Sequence, residues 1–150
     1  MWVLTAGQGF GYDDLREEFD NLQRVSQRTY DPYFLALYSG ALYNVGKGRE
    51  AQEISRRVAK NQNEEKGAVE CAESSITSSR GSALLLETTS LAVVNWLNQD
   101  PSAFSKQIYL GVDFLLSLIK DGGRFGSTQS TVLTLKALVR YSQSYRCLYL

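Results

Sequence analysis

Two kinds of helix-forming segment alternate along this chain, and the alternation leaves few ways to fold it. Residues 32–45, 87–98 and 128–141 carry almost no polar face, whereas residues 12–28, 49–61 and 102–120 each carry one narrow apolar stripe. A helix that is apolar all round needs cover on most sides, while a one-stripe helix lies at the surface. Strict alternation of the two predicts an all-α fold of helical hairpins in two layers, with buried inner helices wrapped by amphipathic outer ones. Such a pattern builds a toroid or a solenoid.

Local signals mark where these helices begin and end. Leu15, Phe19, Leu22 and either Val25 or Ser26 define the inward face of the first segment, and Asp13, Asp14, Glu17 and Glu18 crowd its first turns, where the helix dipole favours carboxylates. Asp31-Pro32 reads as an N-cap followed by proline at the first helical position. Gly46-Lys47-Gly48 ends the next helix with a left-handed cap. In the fifth segment Phe104, Ile108, Val112, Leu115 and Ile119 keep helical spacing. Asp121-Gly122-Gly123 stops that helix, and Ser127 or Thr128 caps the last one. Between residues 67 and 86 the period changes. Residues 68–72, 76–77 and 83–86 read as short extended pieces around Ser78-Ser79-Arg80-Gly81, which predicts one small β-hairpin inserted between helices.

Composition removes whole classes of function. Sixteen basic and sixteen acidic residues cancel, so there is no basic field to hold a nucleic-acid backbone. There is no histidine, which excludes most zinc sites, Ser-His and Cys-His nucleophiles, and the usual general base near neutral pH. Cys71 and Cys147 stand far apart in unrelated contexts and do not make a disulfide framework. Cys71 is flanked by Glu70 and Glu73, whose charge raises a thiol's pKa and blunts it as a nucleophile. Gly7-Gln8-Gly9-Phe10-Gly11 lacks the preceding strand and following lysine of a phosphate loop. No cofactor or metal is expected. The chain has no long apolar run of membrane-spanning length and no secretory leader, and Met1-Trp2-Val3-Leu4 reads as the tail of a helix from something longer.

The most specific segment is Gly122-Gly123-Arg124-Phe125-Gly126-Ser127-Thr128-Gln129, followed by the apolar helix from Thr131-Val132 to Tyr141. It resembles the thioester-containing domain of the alpha-2-macroglobulin and complement family, in particular its bacterial members. There a glycine-aromatic-glycine-Ser-Thr-Gln turn opens a helix of this pattern. Leu86-Glu87-Thr88-Thr89-Ser90-Leu91-Ala92 is similar to the family's Glu-x-Thr helix start, and residues 33–46 to one of its hairpins.

The resemblance implies an α/α toroid of six hairpins, of which this chain matches the C-terminal half. It implies that Gly123, Phe125, Gly126, Ser127, Thr128 and Gln129 form a structural motif, with Phe125, Tyr33 and Trp96 as core anchors. The Cys-Gly-Glu-Gln motif of the thioester is not in this chain, and Cys71 does not replace it. The function so implied is that of a non-catalytic part of a bacterial alpha-2-macroglobulin-like protease trap. Its partners would be the remainder of the parent chain, proteases through the parent, or a second copy of the isolated chain. The parent would work in the periplasm or outside the cell. Two other classes are weighed beside it. A helical-repeat binding module of the tetratricopeptide type predicts a period near 34 residues, which the spacing lacks. A toroid-fold terpenoid cyclase or prenyltransferase needs an Asp-x-Asp-Asp donor or an Asp-Cys-His zinc site, and neither is present.

Overall fold

The alternation of segments becomes two layers. In the computed structural model, residues 9–70, 72, 76, 78–120 and 127–146 are described. Among them are six helices: α1 Arg16–Ser26, α2 Pro32–Asn44, α3 Gly48–Ala59, α4 Gly81–Gln99, α5 Ser105–Lys120 and α6 Thr128–Arg146. A 3-10 turn over Asp13–Leu15 leads into α1. The inner layer consists of α2, α4 and α6, and the outer layer of α1, α3 and α5.

The inner helices run parallel, as their polar contacts show. Asn95 donates to the Ala36 carbonyl at 2.7 Å, and Gln99 to Ser39 Oγ at 2.8 Å. Between α4 and α6, Ser90 pairs with Thr134 at 3.2 Å, and Arg140 donates to Asn98 at 2.8 Å. Residue numbers rise together along each pair. The outer helices carry the chain back: along α3, Gln52 meets Asp100 and Ser55 meets Trp96. The inner helices start at Pro32, Gly81 and Thr128, intervals well above the ~34 residues of a tetratricopeptide.

One apolar core lies between the layers. Leu35, Val58, Leu86, Val93, Trp96, Ile108 and Leu115 are all buried in it, and Trp96 stacks on Phe104 with ring centroids 6.0 Å apart. A second cluster joins Leu15 and Phe19 of the α1 region to Tyr38, Ala41 and Leu42 of α2. Close approach of α5 to α4 depends on Gly111, where a Cβ would come within 2.6 Å of Val93 Cγ2.

The caps follow local chemistry. Asp31 accepts from the Tyr33 amide at 2.9 Å, with Pro32 at the first helical position. Gly46 adopts φ +82°, and the Lys47 amide reaches back to the Leu42 carbonyl at 2.9 Å, closing a Schellman-type end. Ser26, not Val25, is the buried residue closing the α1 stripe; its hydroxyl is satisfied by the Gln23 carbonyl at 2.7 Å.

The predicted β-hairpin over residues 67–86 is absent among the described residues. Residues 83–86 belong to α4, which starts at Gly81, six residues before the expected 87. The run Leu84-Leu85-Leu86 lost its helical period because this part of α4 is covered on nearly every side. The only described β pairing is an isolated antiparallel bridge between Gln62 and Val69. It closes a tight loop in which Asn63 N meets Ala68 O at 2.8 Å and Glu70 N meets Asn61 O at 2.9 Å. Val69 is buried there in the apolar core, and its amide donates to Thr89 on α4 at 2.9 Å. At the far end of α5, Ile119 is 40 % exposed, so the expected stripe is buried only from Phe104 to Leu115.

Candidate functional site

Parallel packing brings the N-terminal ends of the three inner helices to one end of the molecule, and a buried polar cluster lies there. Its centre is Glu87, in the second turn of α4 and 0 % exposed. Its Oε1 accepts from the Ser79 hydroxyl at 2.6 Å and from the Ser127 hydroxyl at 3.2 Å. Tyr33, in the first turn of α2, lies on the other side. Burial pushes the Tyr33 hydroxyl above the ordinary tyrosine value, a hydrogen bond with the Ile76 backbone opposes this, and the charges of Glu87 and Asp31 reinforce it. Helix N-termini favour a carboxyl group nearby, which helps to explain how a glutamate is accommodated in this layer.

Ser127 is the N-cap of α6. Its Oγ accepts from the Ser130 amide at 3.1 Å, and Ser130 Oγ accepts in return from the Ser127 amide at 3.1 Å. This is the reciprocal geometry of a capping box, with serine in the place usually held by Glu or Gln. Its carbonyl also accepts from the Thr131 amide at 3.1 Å and the Thr131 hydroxyl at 2.9 Å.

The sequence motif is thus only partly joined to this cluster. Ser127 belongs to it, whereas Thr128 and Gln129 are exposed on the first turn of α6. Gly123, Phe125 and Gly126 lie outside the described residues, as do Cys71 and Cys147. Tyr33 and Trp96, expected as core anchors, are buried. Glu87 was read from the sequence as a helix start, and its role as an interior acceptor was missed. The available signal was the single charged residue between Leu84 and Leu97.

A concave feature of about 300 Å³ lies between α1, α2 and α3 and is lined by Tyr12, Phe19, Gln23, Tyr38, Glu50 and Arg57 among others. Arg57 spans its base, donating to the Ser26 and Thr29 carbonyls at 2.8 and 2.9 Å, and so satisfies the open end of α1. Tyr38 faces it with a hydroxyl pushed upward mainly by burial and then by Tyr12, Glu50 and Asp20. Among the described residues no three His, Cys, Asp or Glu side chains converge as a metal site would. No described helix is long and apolar enough to cross a membrane.

Two layers of helical hairpins with a parallel inner set, and a Ser-capped helix at the end of that set, fit part of an α/α toroid. The profile of the A-macroglobulin TED domain, the thioester-containing domain, matches residues 16–141, and the chain belongs to that family. Neither a curated protein nor a solved structure gives a significant match.

Proposed function

We propose that this chain is a non-catalytic arc of the toroid in a bacterial alpha-2-macroglobulin-like protease trap. In this reading it shelters a thioester carried elsewhere in the parent protein, which acts in the periplasm or outside the cell. The observation that carries the proposal is the state of α6 at the end of the inner layer. Its inward face is buried through Ser130, Leu133, Thr134 and Ala137, yet Val132, Leu135 and Val139 on the opposite face are each more than half exposed. An apolar stripe of this kind is normally covered by a partner. The remainder of the ring is the partner proposed, with a second copy taking its place when the chain is isolated.

The Ser79–Glu87 pair has the outward form of a nucleophile and base. Its carboxyl oxygen is fully buried and shared with Ser127, which suits holding better than proton transfer. The reading is tested by expressing the chain alone and together with the upstream half of its ring, if the genomic frame before Met1 encodes a Cys-Gly-Glu-Gln motif. Alone it should release no thiol with methylamine and capture no protease. With the upstream half it should form a complex that does both. Covalent capture by the isolated chain, or the lack of any thioester-encoding frame upstream, would refute the proposal.

A further inference from the structure

Ser79 stands eight residues before Glu87, and Ser127 forty residues after it, yet both hydroxyls donate to the same carboxyl oxygen. Ser79 belongs to the segment leading into α4; Ser127 caps α6. That shared oxygen joins the two residues, in the bonds described above. The Glu87 side chain is enclosed, at 0 % exposure, and α4 is buried without interruption from Leu86 to Leu97. It therefore has little freedom to follow one donor without turning away from the other.

We propose that Glu87 is a coupling joint that makes the segment ahead of α4 and the first turn of α6 hold or loosen together. This is independent of whether a thioester is present in the parent. The mechanism is geometric. One buried oxygen carries both hydroxyls, so displacing Ser79 re-aims the acceptor that steadies Ser127. Ser127 in turn holds the Ser130 amide through its Oγ and the Thr131 amide through its carbonyl. A disturbance at residue 79 thus reaches the backbone at the start of α6. A partner engaging the chain just before α4 would change the start of α6, and the converse holds because coupling free energies are reciprocal.

The test is a pair of single substitutions and their combination in the full chain, Ser79→Ala, Ser127→Ala and both, read by amide hydrogen exchange. Ser79→Ala should speed exchange at Ser130 and Thr131 by about two- to tenfold, the span of one hydrogen bond's net worth. Ser127→Ala should do the same at Leu84 and Leu85, the first amides of α4 expected to be bonded within the helix. The double variant should be less than multiplicative, because each change already spends the shared contact. Glu87→Gln keeps an oxygen acceptor of the same reach and should preserve most of the protection at both places. Glu87→Ala should lose it at both; if that variant does not fold, the serine pair and Glu87→Gln decide the matter. Effects confined to the substituted segment, with multiplicative behaviour in the double variant, would overturn the proposal.

Discussion

Helices α4 and α6 have the same length and the same place in the inner layer, and both read as apolar nearly all round. In the folded chain they differ sharply. On α4 every residue from Leu86 to Leu97 is buried, because α2, α3, α5 and α6 surround it. On α6 burial is confined to Ser130, Leu133, Thr134 and Ala137, a stripe spaced three, one and three apart, while Val132, Leu135 and Val139 face outward. An apolar periphery therefore reports a demand for cover, and neighbours decide how much of that demand is met. Thr88, Thr89 and Ser90 are as buried on α4 as its leucines, since Thr88 bonds back to the Leu84 carbonyl and Thr89 receives the Val69 amide.

The comparison is broken most forcefully at Trp96. Trp96→Ala should destabilise the fold by about 3–5 kcal/mol, the usual range for deleting a buried aromatic, as measured by chemical denaturation. A loss under 1 kcal/mol would mean that α4 is not the centre of the structure. Gly111→Ala should cost about 1–3 kcal/mol through overpacking against Val93, and a melting temperature equal to the parent's would contradict the close approach of α5. Ser127→Ala, which removes the cap of α6, should cost about 1 kcal/mol and can be read from the same denaturation curves.

On the outer face of α6 the expectation reverses. Leu135→Ala in the monomer should move stability by no more than about 0.5 kcal/mol, as for other surface sites. Concentration-dependent light scattering should diminish when Val132, Leu135 and Val139 are all changed to serine. Unchanged scattering would place self-association elsewhere. The smallest effect belongs to Glu64, whose carboxyl is held below its ordinary pKa by its hydrogen bond with Lys106 and then by that residue's charge. A lowered folded pKa contributes stability above the unfolded value, and the contribution is lost as pH falls through the folded one. The pair is solvent-exposed, so Lys106→Ala should return the Glu64 titration to the ordinary range, seen by NMR, with scarcely any change in melting.

The layering, the proline-led start of α2 and the stripe of α5 were legible because each follows from a period or a cap chemistry within a few residues. The start of α4 was not. Full burial of Leu84 and Leu86 removes the polar face on which a helical period depends, and the nearby Ser-Ser-Arg-Gly has the composition of a turn. Gly111 lay unnoticed inside an apolar stripe, since only the distance to Val93 gives it meaning. Glu87 was hidden by the general rule that glutamate stays in water. Its environment is assembled from Ser79, Ser127 and Tyr33, which only the tertiary fold brings together.

The parallel inner layer also permits the chain to be built in sequence order. Each inner helix meets the next one along the sequence, with a single outer helix between them; the Ser39–Gln99 contact, for instance, spans sixty residues. Closing such a span costs loop entropy, but each contact joins neighbours in hairpin order and needs no more distant part of the chain to arrive first. During synthesis, which runs from the N-terminus, α2 and α3 can settle before α4 emerges, and α4 then offers the surface on which α6 forms. The connectivity thus predicts growth by addition at one edge, in the direction of translation.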